Sequence, residues 1–179
     1  GPGQNSAETI REFSDQLKDS ILILAGYAGS LNPKYKRGDL FFSNSFFYQD
    51  KKILASPFTH QFKKLLEKNG YKIDLAENCT EDVVINNIDK KRILLEKGFQ
   101  IVEMENYWAA QEAQKLKLPF VGFRIILDTF SEKLPDLSDL QTPDGGVSVK
   151  GVFSHLAKKP HHIFTMLKLS SLAQKLNSK

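Results

Sequence analysis

Apolar positions fall into short runs of strand length, separated by stretches with helical spacing. Residues 6–18 place Ile10, Phe13 and Leu17 on one face, which predicts an amphipathic helix. Asn5 and Glu8 have the spacing of a capping box for it, and Asp19-Ser20 ends it. Residues 21–25 read as a buried strand that stops at the small-residue turn Gly26-Tyr27-Ala28-Gly29-Ser30. Such a turn exposes backbone N–H groups and lets a ligand approach closely. Asn32-Pro33 and Arg37-Gly38-Asp39 predict turns, and residues 40–47 predict a strand with a hairpin return at Ile53-Leu54. Ser56-Pro57 predicts the start of a helix that carries Phe58, Phe62, Leu65 and Leu66 and stops at Asn69-Gly70. Residues 73–79 predict a strand, and residues 89–97 a short polar helix closed by Gly98.

The most informative stretch is Gln100-Ile101-Val102-Glu103-Met104-Glu105-Asn106, an apolar run that ends in two carboxylates around a methionine. A helical stretch follows over residues 107–117, and then a second apolar run from Pro119 that ends at Asp128. Strand, helix, strand predicts a βαβ unit with a parallel sheet. Both acidic ends then lie at the carboxyl edge of the sheet, where open α/β sheets bind ligands. Glu and Asp converging on one crevice predict a site for a polar small molecule. After it, residues 134–146 read as a loop rich in Pro, Asp and Gly, and the chain from Val147 onward reads as helical, broken at Pro160.

Composition narrows the classes without choosing one. The chain of 179 residues is long enough for one domain with a sizeable core, and no linker divides it, so residues 1–179 predict a single domain. Hydrophobic residues at 41% and charged residues at 26% are ordinary for a soluble globular protein. A net charge of +4 with scattered lysines argues against a nucleic-acid partner. No apolar run approaches the roughly 20 residues of a membrane span, and no secretory signal is visible. The lone Cys79 fits a reducing cytoplasm and an inert buried thiol. Gly1-Pro2-Gly3 is either a protease scar or a native glycine-rich turn. The histidines, His60, His155, His161 and His162, form no metal-ligand spacing, so no metal site is predicted.

Three blocks together resemble the nucleoside phosphorylase and nucleosidase superfamily. Val102-Glu103-Met104-Glu105 is similar to its V-[DE]-M-E segment, and Arg124 through Asp128 to its R-x-I-S-D segment. Gly26-Tyr27-Ala28-Gly29-Ser30-Leu31, followed by Gly38-Asp39, resembles its G-x-A-G-G-L and later G-D. Asp89-Lys90, Leu134-Pro135, Pro143-Asp144-Gly145-Gly146-Val147, Lys158-Lys159-Pro160 and Leu167-Lys168-Leu169 resemble the hopanoid-associated branch, thought to remove adenine from adenosylhopane. Methylthioadenosine/S-adenosylhomocysteine nucleosidases are the more distant likeness. The resemblance implies an α/β fold with a three-layer mixed central sheet flanked by helices. It also implies a homo-oligomer and cleavage of the N-glycosidic bond of a purine nucleoside.

Three departures stand out. The superfamily's first strand has no counterpart, nor has the acidic residue that activates water in the nucleosidases. Leu127 stands where Ser usually precedes the catalytic Asp. Leu24 stands where phosphorylases place a phosphate-binding Arg, which favours hydrolysis. Inorganic phosphate stays open as a co-substrate, with Arg37 as a substitute cation, and no other cofactor is implied. A binding protein that has lost turnover is the reading from another class.

Such cleavage needs a proton for the departing base and a negative group for the oxocarbenium-like sugar. Asp128 fits the first role, because a carboxyl at a dry strand end holds its proton to higher pH. Glu105 fits the second, on the ribose hydroxyls. Met104 would pack on the ribose, and Glu103 would hydrogen-bond the sugar or orient Arg124. Arg124, inside an apolar strand, requires a partner, either a structural ion pair or the substrate. Ala28 and Gly29 would border the ribose or the nucleophile, and Tyr27 would line the pocket or fill the core. Glu105 also invites a plain reading as a helix cap, and Asp128 as a turn residue. The basic amphipathic stretch over residues 163–176, with Phe164 and Leu167, either packs on the sheet or makes transient membrane contact.

Overall fold

The computed structural model describes residues 2–132. The predicted loop after residue 134 and the C-terminal helix lie outside the described residues. In chain order the elements are α1 (Pro2–Glu12), β1 (Leu22–Ser30), β2 (Leu40–Tyr48), β3 (Lys51–Leu54), α2 (Phe58–Lys68) and β4 (Ile73–Thr80), then α3 (Ile88–Glu96), β5 (Ile101–Glu103), α4 (Asn106–Lys115) and β6 (Phe120–Asp128).

The strands form one mixed sheet in the order β3-β2-β4-β5-β1-β6. β2 also pairs antiparallel with β6, Phe41 opposite Arg124, so the sheet curls until β6 meets β2. Helices flank it, as the α/β reading requires. α4 lies close on the sheet because Ala109, Ala110 and Ala113 have no bulk and are fully buried; Phe46, Tyr107 and Phe120 fill the remaining space. α1 covers this layer through Ile10. α2 packs Phe58, Phe62 and Leu66 against Phe42, Ile73 and Val121. α3 joins Leu94 and Leu95 to Leu31, Cys79, Ile85, Phe99 and Val102. A side chain such as Phe46, with none of its surface exposed, contributes about 1.5–3 kcal/mol by burial.

Four local expectations change. The first helix begins at Pro2, not after Asn5, so Asn5 and Glu8 lie within it; after Phe13 the chain tightens into a 3₁₀ turn, Ser14–Leu17. Proline suits the first turn of a helix, where its missing N–H costs nothing. Gly3 lets α1 touch the chain near the site: a Cβ there would stand 2.0 Å from the Met104 carbonyl oxygen. The second change concerns residues 26–30, which continue β1 instead of turning. Residues 26–29 are paired with β6 on one side, and Gly29 and Ser30 with β5 on the other. The third is that β1 is not evenly buried, because Ile23 is half exposed. The last is that the unit from β5 to β6 is not a parallel crossover. β1 stands between them, parallel to β6 and antiparallel to β5.

That arrangement still brings the acidic strand ends together. Gly29 of β1 faces Val102 of β5 on one side and Asp128 of β6 on the other.

Candidate active site

A cavity of about 200 Å³ opens where the ends of β1, β5 and β6 meet. Tyr27, Ala28 and Gly29 form its floor, and Glu103, Met104, Glu105 and Asp128 supply its polar and thioether edge. Val83, Val84, Ile85, Val102 and Leu127 make the remaining wall apolar. Every predicted site residue except Arg124 lines this cavity.

Asp128 is 5% exposed. Burial pushes its carboxyl above the usual value, against the opposing pull of the Lys91 ammonium. Lys91 Nζ donates to Asp128 Oδ2 at 2.8 Å and to the Thr129 carbonyl at 2.9 Å. Gly29 makes room for the carboxyl, since a Cβ there would come within 3.0 Å of Oδ1. Neither Gly26 nor Gly29 has positive φ. These glycines serve close approach, not a turn, and Gly26 does the same beneath the Arg124 guanidinium.

Glu103 is buried, and its oxygens are taken by the protein. Oε1 accepts from Thr80 Oγ1 at 2.6 Å. Oε2 accepts from the Glu105 and Asn106 N–H groups and from Arg124 Nη2, each at 2.8 Å. Burial raises its carboxyl above the usual value while Arg124 opposes. Glu103, not Glu105, therefore caps the start of α4: two backbone donors with no partner inside the helix point at its carboxylate. Glu105 holds the N-cap position with no side-chain cap hydrogen bond. Its carboxylate pairs with Arg124 at 3.1 Å, and its side chain stays 40% exposed at the cavity.

Arg124 stands behind the wall. It is 1% exposed and also donates to Asn106 Oδ1 at 2.6 Å. One guanidinium thus joins the helix-capping carboxylate to the carboxylate that faces the cavity. Leu24 packs in the cluster with α4, among residues that do not line the cavity. Arg37 is engaged too: Nε donates to the Leu127 carbonyl at 2.7 Å and Nη2 pairs with Glu132. Cys79 is buried, and burial pushes its thiol well above the ordinary range. Among the described residues no cluster of His, Cys, Asp and Glu could hold a metal ion, and no helix is long and apolar enough to cross a membrane.

The family model described as the phosphorylase superfamily matches residues 1–163. The chain belongs to the phosphorylase superfamily. No curated protein matches it by sequence. Among solved structures, the superfamily fold recurs in the Campylobacter jejuni 5′-methylthioadenosine/S-adenosylhomocysteine nucleosidase, at 20% identity and a TM-score of 0.69 over 75% of this chain and 67% of that one. A futalosine hydrolase mutant of Helicobacter pylori is similar at 18% identity and a TM-score of 0.67, over 74% of this chain and 67% of that one. The Streptococcus pneumoniae (S. pneumoniae) 5′-methylthioadenosine/S-adenosylhomocysteine nucleosidase with a transition-state inhibitor has 22% identity and a TM-score of 0.64, over 73% of this chain and 66% of that one. The chain thus spans about two thirds of the length of these structures.

Within this superfamily frame, sequence reasoning missed Lys91, Asn106 and the segment 83–85. Lys91 hid in the run Asp89-Lys90-Lys91-Arg92, which reads as a solvated face. Its signal was spacing: Ile88, Lys91 and Leu95 recur on one side of α3, so a lysine stood where an apolar residue was due. Val83-Val84-Ile85 carried an apolar signal between acidic and amide residues.

Proposed function

We propose that the protein cleaves the N-glycosidic bond of an adenine nucleoside with an apolar 5′ substituent, adenosylhopane being the preferred substrate. The observation that carries this reading is that Asp128 and Glu105 line one cavity, with Val83, Val84, Ile85, Val102 and Leu127 forming an apolar wall beside them. Asp128 gives its proton to the purine, and the C–N bonding pair moves onto the departing base. Glu105 faces the ribose and balances the positive charge that develops there. Water then adds to the anomeric carbon and releases a proton. Water is favoured over phosphate because, among the described residues, Lys91, Arg37 and Arg124 are each held by protein acceptors. Methylthioadenosine is the second reading, supported by the fold shared with 5′-methylthioadenosine/S-adenosylhomocysteine nucleosidases.

Adenine release from adenosylhopane and from methylthioadenosine, with and without phosphate, tests the reading against Asp128→Asn. Phosphate-independent release that falls roughly 10²–10⁴-fold in the variant is expected for loss of a general acid. Phosphate-dependent release would make the protein a phosphorylase. Adenine binding without release would make it a binding protein that has lost turnover.

A further inference from the structure

We propose that Lys91 is a positioning residue for this chemistry: it occupies Oδ2 of Asp128 and so assigns Oδ1 as the oxygen that meets the purine. The inference rests on Asp128 being the acid toward the departing base.

Lys91 has none of its surface exposed. A buried ammonium persists only where acceptors replace its water. Here those acceptors are Asp128 Oδ2 and the Thr129 carbonyl. Arg37 holds the carbonyl on the other side of Asp128, that of Leu127. Gly29 lies against the carboxyl, within 3.0 Å of Oδ1 and 3.1 Å of Oδ2 measured from an ideal Cβ position. The backbone on both sides of Asp128 and one of its oxygens are therefore fixed. Oδ1 receives no hydrogen bond among the described residues.

This division sets where the proton sits. An oxygen that accepts from an ammonium is the poorer proton site, so the proton resides on Oδ1. On transfer, the Oδ1–H bond breaks, an N–H bond forms on the purine, and the electron pair stays on Asp128. The new carboxylate forms beside a cation already in place, with no reorganisation required. Burial and Lys91 act in opposite senses: burial lets the acid keep its proton, and Lys91 keeps it strong enough to give the proton up. Among the described residues the other charged groups around Asp128 are Arg37, Glu132 after β6, and Glu103 and Glu105 across the cavity. Arg37 is paired with Glu132, and Arg124 with Glu103 and Glu105, so among the described residues Lys91 is the cation in direct contact with Asp128.

The test follows Asp128 itself. Carbon-13 NMR of aspartate-labelled protein, assigned by the signal lost in Asp128→Asn, gives its titration midpoint in the parent, Lys91→Gln and Lys91→Arg. Loss of the cation in Lys91→Gln is expected to raise the midpoint by about 1–3 pH units. The alkaline limb of kcat/KM for adenine release should move by the same amount, while its plateau falls. Lys91→Arg should return the midpoint toward the parent value. A purely structural lysine would lower the plateau and leave both midpoint and limb unmoved, which would overturn the proposal. Should the variants fail to fold, nitrogen-15 NMR of lysine-labelled parent protein decides. One slowly exchanging ammonium that responds as Asp128 titrates supports the proposal, and its absence overturns it. Lack of adenine release by the parent chain would count against the activity, whereas an unmoved Asp128 titration counts against Lys91 alone.

Discussion

Replacing Gly26 with alanine adds one methyl group in the worst place for Arg124. An ideal Cβ at Gly26 lies 2.1 Å from Arg124 Nη1. Comfortable separations between heavy atoms are about 3.5 Å, so the guanidinium must retreat by about 1.4 Å. An arginine at the surface would swing away at little cost. This one is 1% exposed, and its Nη2 is held at 2.8 Å by Glu103, 2.6 Å by Asn106 and 3.1 Å by Glu105. A shift of that size carries those contacts beyond the hydrogen-bond range of about 3.2 Å. Breaking a buried ion pair costs about 3–5 kcal/mol. Stiffening the unfolded chain returns about 0.4–1 kcal/mol, and Gly26 has no positive φ, so no backbone strain is added. The net loss is about 2–5 kcal/mol, a large part of the 5–15 kcal/mol typical of a domain. Urea unfolding followed by the fluorescence of the one tryptophan, Trp108, measures it. The same substitution in an Arg124→Met background meets no guanidinium and is expected to cost less than about 1 kcal/mol. A Gly26→Ala protein within about 0.5 kcal/mol of the parent, or an equal loss in both backgrounds, would refute the reasoning.

Two further outcomes follow from the buried groups. Asp128 binds its proton more tightly when folded than at its ordinary value of 3.8, because burial outweighs Lys91; its contribution to stability is full below that value and is lost as pH rises through the folded one. The stability advantage of the parent over Asp128→Asn should therefore shrink as pH rises above 3.8 in denaturant titrations, and an advantage that grows would contradict the assigned direction. Cys79 should resist a thiol reagent at neutral pH until the chain unfolds, since burial holds its thiol protonated; fast labelling of the folded protein would show that the site opens.

Much of the candidate site was legible because its lining is built from rare residue types at fixed spacing. Two carboxylates around Met104, a third at Asp128, and glycines at 26 and 29 stand out in any order of reading. Their meaning was less legible. Gly26 and Gly29 looked like a turn because glycine permits turns, yet each is small because a charged side chain from β6 crosses it. Glu105 also offered a plain reading as the cap because it opens a helix, yet Glu103 does the capping from two residues upstream.

By itself the sequence determined most element types among the described residues, the amphipathic faces and the convergence of acidic strand ends, because these depend on local periodicity and on side-chain chemistry. The tertiary structure alone decided that β5 runs antiparallel to β1, that Arg124 links Glu103 to Glu105, and that Lys91 reaches Asp128 across 37 residues of chain. Strand pairing and buried charge partners are set by which surfaces meet when the sheet curls. No local pattern records that meeting, and a lysine in a charged run differs from its neighbours only once its face of the helix is buried.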